Sequence, residues 1–232
     1  MKKFSWIFLL FLTSVSALVL SSCNDDDDDN TDPQARVMVI HASPDAPGVD
    51  VLVDDVKVNS SPLTFPNNSA YLDVMPGVRN VKVNVAGSNP VVTALNFNTP
   101  ALEAEKSYSA FAGNAVANIE PILFTDDLTS PAAGKAHVRF IHLSPDAPAV
   151  DVALAGGGAV VFGNVSFKES SVFTPLDAGT YNLEVRVAGT STVALTLPPV
   201  TVENGKIYTV FAKGFLAGTG AQALGAQIIV NK

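Results

Sequence analysis

The sequence predicts an all-β protein built from two tandem β-sandwich domains, and three observations carry this prediction. Apolar and polar residues alternate with a period of two in several short segments, which is the pattern of strands with one buried face. No stretch of ten residues shows helical periodicity. A segment of twelve residues recurs once along the chain, which indicates two copies of one structural unit.

The composition predicts a folded chain and restricts its partners. The chain has 232 residues, of which 47% are hydrophobic and 16% are charged, so there is ample apolar side chain for a core. The net charge of −8 argues against nucleic acid as a partner, because phosphate backbones require a basic surface. A single cysteine excludes a disulfide within the chain and a cysteine-based zinc site.

The repeat defines the domain organisation. The segment 40–51 recurs as 141–152, at an offset of 141 − 40 = 101 residues, and the two copies share the order His-x-Ser-Pro-Asp-Ala-Pro-x-Val-Asp-Val. Between them, residues 125–136 have the small and polar composition of a linker. We therefore predict a first sandwich at 36–124, a linker at 125–136 and a second sandwich at 137–232.

Each copy contains about seven predicted strands. Val81, Val83 and Val85 alternate with polar residues, and so do Leu183, Val185 and Val187. The other predicted strands are 37–41, 49–53, 70–74, 91–97, 108–112 and 119–124, then 138–142, 150–154, 171–176, 193–197, 207–212 and 226–230. This density of short strands predicts sandwiches resembling the immunoglobulin or transthyretin type. We expect Tyr108 and Tyr208 to be buried, with their hydroxyls bonded to backbone.

The first 22 residues are predicted to be a lipoprotein signal peptide. Lys2 and Lys3 precede an apolar run, 5–20, that is shorter than the roughly 20 residues of a bilayer span but fits a signal peptide. The run ends in Leu-Ser-Ser before Cys23, which resembles a bacterial lipobox. We therefore predict Cys23 as the site of lipid attachment. A plain secretory signal and a transmembrane anchor remain the alternatives.

An acidic segment follows the predicted lipid site. Residues 23–35 contain almost no apolar side chain and form a predicted tether. Its five consecutive aspartates resemble the surface-export signal of Bacteroidetes lipoproteins: Asp25, Asp26, Asp27, Asp28 and Asp29. The prediction is an outer-membrane lipoprotein exposed at the cell surface, with an orientation toward the periplasm as the alternative.

The repeated His-x-Ser-Pro-Asp segments have two interpretations. Ser-Pro-Asp fits a tight turn whose aspartate accepts backbone N–H groups that the turn leaves free. The alternative is a metal-dependent binding site or an extracytoplasmic enzyme, because imidazole and carboxylates are ligands of zinc and calcium. Its candidate residues are His41, Asp45 and Asp50 in the first copy, and His142, Asp146 and Asp151 in the second. We favour the turn and predict neither catalytic nor metal-binding residues.

The same segment resembles a known family. Together with the later Lys-x-Tyr strand, it resembles domain of unknown function 4397, over residues 36–124 and 137–230. The resemblance implies extracytoplasmic, β-rich modules, often in tandem in bacterial surface proteins, and it supplies no activity.

The predicted function is accordingly non-enzymatic and needs no cofactor. We expect a lipid-anchored protein with a structural or adhesive role, bound to the membrane through Cys23 and to an unknown protein or glycan. The glycine-rich loop 214–225 and the glycine turn 156–158 are the predicted contact loops, since loops at sandwich ends commonly bind ligands.

Overall fold

A computed structural model describes residues 32–232, which form one compact unit. Within these residues the regular structure is strand, apart from two short 3-10 helices at Val116–Asn118 and Gly220–Gln222. The predictions for Cys23 and for Asp25 to Asp29 lie outside the described residues. The all-β prediction is confirmed.

The two copies contribute eight and ten strands. The first copy contains β1 (Ala35–His41), β2 (Val49–Val53), β3 (Val56–Lys57), β4 (Asn68–Val74), β5 (Asn80–Val85), β6 (Thr93–Asn98), β7 (Ser107–Gly113) and β8 (Glu120–Asp126). The second contains β9 (Lys135–His142), β10 (Val150–Leu154), β11 (Val160–Val165), β12 (Thr174–Asp177), β13 (Gly179–Tyr181), β14 (Leu183–Val187), β15 (Val193–Thr196), β16 (Val200–Val202), β17 (Ile207–Lys213) and β18 (Gly225–Val230).

Each copy forms a sandwich of two four-stranded sheets. The outer sheets have the orders β3-β2-β5-β6 and β11-β10-β14-β15. The inner sheets have the orders β4-β1-β7-β8 and β12-β9-β17-β18, and β13 pairs with β16 in a separate ladder. Within the inner sheets, β1 runs parallel to β7 and β9 runs parallel to β17. The two copies therefore repeat the same strand arrangement.

The inner sheets pack against each other, so the molecule has four β-layers. Alternate residues of β1 point in opposite directions: Val39 belongs to the core of the first sandwich, whereas Met38 and Ile40 belong to a core shared by both copies. In that shared core the rings of Phe111 and Phe211 pack edge to face, with their centroids 5.6 Å apart. β1 and β9 are thus buried on both faces, which explains the uninterrupted Val-Met-Val-Ile of β1; in β9 the apolar residues are interrupted by a buried arginine, Arg139.

The first strand begins at one end of the molecule, and the long loops lie at the opposite end. We call the end where β1 begins, at Ala35, the entry end, and the end where β1 and β9 finish, at His41 and His142, the loop end. Both copies point the same way, because Lys168 of the second copy pairs with Glu120 of the first copy at the loop end, at 3.2 Å.

Most predicted strands appear within a few residues of their predicted limits, and 49–53 and 150–154 match β2 and β10 in full. The largest differences in limits are three residues: β9 begins at Lys135 rather than at 138, and β12 begins at Thr174 rather than at 171. The prediction missed four strands, β3, β11, β13 and β16. The segment predicted as the linker includes the end of β8 and the start of β9, which leaves 127–134 between them.

Candidate functional site

The two histidines of the repeated segment occupy equivalent positions at the ends of β1 and β9. The Nε2 atom of His41 lies 3.0 Å from the carbonyl oxygen of Pro47, and that of His142 lies 3.0 Å from the carbonyl oxygen of Pro148. A carbonyl only accepts, so each Nε2 carries the proton and donates. Burial lowers the pKa of both imidazoles, which are neutral at pH 7. Each histidine therefore closes its own Ser-Pro-Asp turn.

The aspartates of the turns bind backbone that is distant in sequence. The Asp45 carboxylate accepts the N–H of Val116 at 2.8 Å, and the Asp146 carboxylate accepts the N–H of Leu216 at 2.7 Å. We predicted that these carboxylates would accept N–H groups of their own turns, whereas the observed donors lie in the β7–β8 and β17–β18 loops. Each aspartate therefore fastens two loops of the loop end together.

The other residues of the candidate metal or enzyme site do not join these groups. Asp50 pairs with Lys57 at 2.8 Å, and Asp151 accepts backbone N–H groups from Asn164 and Gly189. Within residues 32–232 no cluster of three histidine, cysteine or acidic side chains is placed to hold a metal ion. Ser43 and Ser144 are fully buried, which separates their hydroxyls from any substrate in solvent.

The tyrosine prediction is confirmed in both copies. Tyr108 and Tyr208 are buried, and their hydroxyls accept the backbone N–H groups of Glu103 and Glu203 at 3.0 and 3.1 Å. The predicted contact loops lie far apart: 214–225 is at the loop end, and the glycine turn 156–158 follows β10 at the entry end.

Sequence reasoning missed a buried polar network between the two copies. The Arg139 guanidinium, 2% exposed, donates to Asp126 at 2.5 Å, to Ser109 at 3.0 Å and to Thr209 at 2.9 Å. The rings of Phe173 and Phe124 lie 4.6 and 5.8 Å from the guanidinium carbon. An arginine inside the apolar strand Val-Arg-Phe-Ile-His was the available signal.

The network is closed by Tyr71 and Asn231. The Tyr71 hydroxyl donates to Asp126 at 2.6 Å and accepts from the amide of Asn231 at 3.0 Å. Burial, together with the Asp126 charge, raises the pKa of Tyr71 well above its usual range, so the hydroxyl keeps its proton. Burial also lowers the pKa of Arg139, which the Asp126 charge opposes. These contacts join β8 to β9 and fix the position of one inner sheet on the other.

The fold and the site define a class of protein, namely tandem β-sandwich modules whose shared motif stabilises loops at one end. The chain belongs to the family described as domain of unknown function (DUF4397), which matches residues 35–153 and 154–232. Two consecutive matches agree with two tandem copies, although the second match begins at 154 and the sequence repeat at 137.

Other comparisons add little to the family. The C-terminal domain of AlgF from P. aeruginosa is similar at 23% identity over 42% of this chain and 98% of that domain, with a TM-score of 0.32. No curated protein matches the chain. None of the helices in the part of the chain that the structure describes is long and apolar enough to span a membrane.

Proposed function

We propose that the chain is a lipid-anchored outer-membrane protein, exposed at the cell surface, that binds a protein or glycan partner without catalysing a reaction. One observation carries this proposal: the chain enters both sandwiches at one end, and the family motif builds loops of both copies at the opposite end. An anchor that precedes Ala35 would hold the entry end toward the membrane and present the loop end away from it.

The sequence before β1 suits such an anchor. Cys23 follows a signal-like apolar run, and Ala35 lies 35 − 23 = 12 positions further along the chain. At about 3.3 Å per residue this separation is at most ~40 Å. Lipid attached at Cys23 would therefore keep the body close to the membrane, and an acylated cysteine with two or more chains gives stable anchoring.

The loop end carries few charged side chains, and those of its loops already have partners. Eight connecting segments lie there: 42–48, 58–67, 86–92, 114–119, 143–149, 166–173, 188–192 and 214–224. Their charged residues already have partners: the carboxylates of Asp45, Asp146 and Glu169 accept backbone N–H groups, and Lys168 pairs with Glu120 of β8. Several apolar side chains of these loops and of the adjoining β15 are exposed, namely Val91, Val92, Val116, Val193 and Leu216. A surface whose loop charges are already paired and whose apolar groups are exposed suits a neutral glycan or protein partner.

Structural use of the motif supports a non-enzymatic role. Within 32–232, His41, Asp45 and their counterparts each bond to backbone, and the serines between them are buried. Elemental analysis of the purified protein addresses this part of the proposal. Stoichiometric metal, near two ions per chain, would contradict it in favour of the metal-dependent alternative.

The anchor and the export signal are tested separately. Cys23→Ser should move the protein from the membrane fraction to the soluble fraction. Replacement of Asp25 to Asp29 by alanine should leave it in the membrane fraction but protect it from protease added to whole cells. Continued digestion of the alanine variant would reject the export signal, and membrane retention of Cys23→Ser would reject the anchor.

The binding surface is tested on a glycan array and in a pull-down from surface proteins. We expect Val92→Lys and Leu216→Lys to abolish a partner's binding, because each places an unpaired charge among the exposed apolar groups of the loop end. Val56→Lys is the matched control, since Val56 is at least as exposed as Val92 and Leu216 but lies in β3, where it pairs with the end of β2 remote from these loops. An equal loss of partner binding in Val56→Lys would show that the binding surface does not lie at the loop end.

A further inference from the structure

Seven of the eight edge strands of the four-stranded sheets carry a feature that opposes pairing with another chain. Sheets protect their edges with charged residues, prolines, bulges or very short strands. β3 has only two residues, β4 contains Asp73, β8 contains Pro121 and β12 contains Pro175. The register of β6, β11 and β15 with their neighbours is irregular. The remaining edge strand is β18.

β18 has none of these features. Its sequence, Gly-Ala-Gln-Ile-Ile-Val, contains neither a charged residue nor a proline, and all six residues pair with β17 in unbroken register. Ile228 and Val230 are 38% and 55% exposed. No other segment of residues 32–232 makes a backbone hydrogen bond to 225–230 on the side away from β17. A regular, uncharged and partly apolar edge is therefore open.

The backbone groups on this open edge belong to alternate residues. Asn231, directly after β18, donates its N–H to a carbonyl of β17 at 2.8 Å. Because hydrogen-bonded pairs alternate along an antiparallel ladder, the N–H and C=O groups of Ala226, Ile228 and Val230 point away from β17. The Ile228 carbonyl receives only a long contact, 3.4 Å, from the side chain of Gln227. Three donors and three acceptors thus face outward.

A second copy of the same strand is complementary to this edge. In an antiparallel pair centred on Ile228, this residue lies opposite its own counterpart, and Ala226 lies opposite Val230. All three pairs are of the hydrogen-bonded kind, which gives about six hydrogen bonds. The pairing brings β-branched side chains together and no like charges. The acidic segment 24–31 has no apolar side chain and matches this edge less well.

We propose that the protein forms a two-fold symmetric dimer in which β18 pairs antiparallel with β18 of a second copy. The two sheets that contain β18 then join into one sheet of eight strands, in the order β12-β9-β17-β18-β18-β17-β9-β12. The contact covers Ile228 and Val230 and satisfies the open N–H and C=O groups. Because one strand from each copy makes the contact, the interface is small and the dimer is weak and reversible.

The antiparallel arrangement has a consequence for an anchored protein. β18 runs from the loop end to the entry end, so the two copies point their entry ends in opposite directions. If the entry end is held at a membrane, copies anchored in two apposed membranes are oriented to pair. The edge would then join two surfaces. This step rests on the proposed function, whereas the dimer itself does not depend on Cys23.

Sedimentation equilibrium of residues 32–232, which form one compact unit, tests the dimer. We expect a reversible monomer–dimer equilibrium. Ile228→Lys should weaken dimerisation at least tenfold, because it places like charges opposite each other. Val160→Lys is the matched control, since Val160 is 49% exposed on a different edge strand, β11, and should leave the equilibrium unchanged. A parent that is monomeric at about 1 mM, or unchanged dimerisation of Ile228→Lys, overturns the proposal.

The register is tested by Ile228→Cys, which also serves if Ile228→Lys does not fold. Residues 32–232 contain no other cysteine. Opposed Cα atoms of a hydrogen-bonded pair lie about 5.5 Å apart, which a disulfide spans. We expect a disulfide-linked dimer from Ile228→Cys and none from Val160→Cys. Equal cross-linking of the two variants overturns the pairing.

The joining of two surfaces is tested separately, with residues 32–232 coupled to lipid vesicles through a cysteine placed before residue 32. The coupling supplies the anchor, so the result does not depend on Cys23. We expect vesicles that carry the parent to aggregate, because many weak contacts act together, and vesicles that carry Ile228→Lys to stay dispersed. Dispersed parent vesicles, despite a dimer in solution, would contradict the joining of surfaces and leave the dimer standing.

Discussion

At the residue scale, His41 and His142 act as neutral donors inside the protein. Each is almost fully buried, donates from Nε2 to a proline carbonyl six residues later and packs against a phenylalanine edge, Phe65 or Phe167. The sequence pattern placed both residues at the end of a strand. It could not show the direction of the imidazole, because that depends on how the following turn returns its carbonyl to the ring.

These histidines predict a loss of stability in mild acid. Their pKa values in the folded protein are lowered from an unfolded value of about 6.5. The stability that the two neutral histidines contribute is therefore fully present above pH 6.5. It is lost as the pH falls toward their pKa in the folded protein, because the unfolded chain binds protons more readily. Denaturant unfolding between pH 7 and 5 should show a falling free energy of unfolding.

The control for this pH dependence is His41→Gln/His142→Gln, in which an amide can still donate to the proline carbonyls. Its free energy of unfolding should vary less between pH 7 and 5 than that of the parent. An identical slope in the two proteins would assign the pH dependence to other groups.

At the element scale, alternation within a strand revealed where most strands lie but not how many of their faces are covered. β1 and β9 were predicted from short apolar runs, and each is buried on both faces because a second inner sheet covers Met38, Ile40 and Ile141. That cover comes from the other copy, and nothing within one strand specifies it. β3, β13 and β16 have only two or three residues, too few for a periodic signal.

The buried ion pair between Asp126 of β8 and Arg139 of β9 predicts that removing one partner lowers the free energy of unfolding more than replacing both partners does. Asp126→Ala should lower the free energy of unfolding by about 3–5 kcal/mol, because it leaves a buried guanidinium unpaired. Asp126→Asn/Arg139→Met introduces the residues found at the equivalent positions of the other copy, Asn231 and Met38. This double variant should lose less than half as much in chemical denaturation.

A double variant as unstable as Asp126→Ala would show that the charges themselves, rather than the avoidance of an unpaired charge, stabilise the contact. Ser109→Ala is a useful reference within the same network, since it removes one hydroxyl and no charge.

At the scale of the whole molecule, the two copies form one body rather than two independent modules. The rings of Phe111 and Phe211 are fully buried at their contact, and Tyr71 of the first copy bonds Asn231 of the second. The repeat predicted two sandwiches, and the linker composition of 125–136 gave no indication that they pack together. Packing between copies depends on side chains that lie on the second face of the inner strands.

This shared core predicts cooperative unfolding. Thermal unfolding of residues 32–232 should give one transition, with the same midpoint by circular dichroism and by calorimetry, because opening either copy exposes the shared core. The first copy alone, 32–134, should aggregate, since Ile40, Phe111 and Ile122 would be exposed. Two separate transitions would contradict the four-layer arrangement as a cooperative unit.

The proposed role of the whole molecule rests on an anchor at the entry end, and the most direct test is the mass of the mature protein isolated from membranes. Cleavage before Cys23 leaves 232 − 22 = 210 residues. We predict that the mature chain begins at Cys23 and that its mass exceeds that of the polypeptide by the mass of the attached acyl groups. In cells grown with radioactive palmitate, the parent protein should become labelled and the Cys23→Ser variant should not. A mature chain that begins elsewhere, or an unmodified cysteine at its start, would contradict the account.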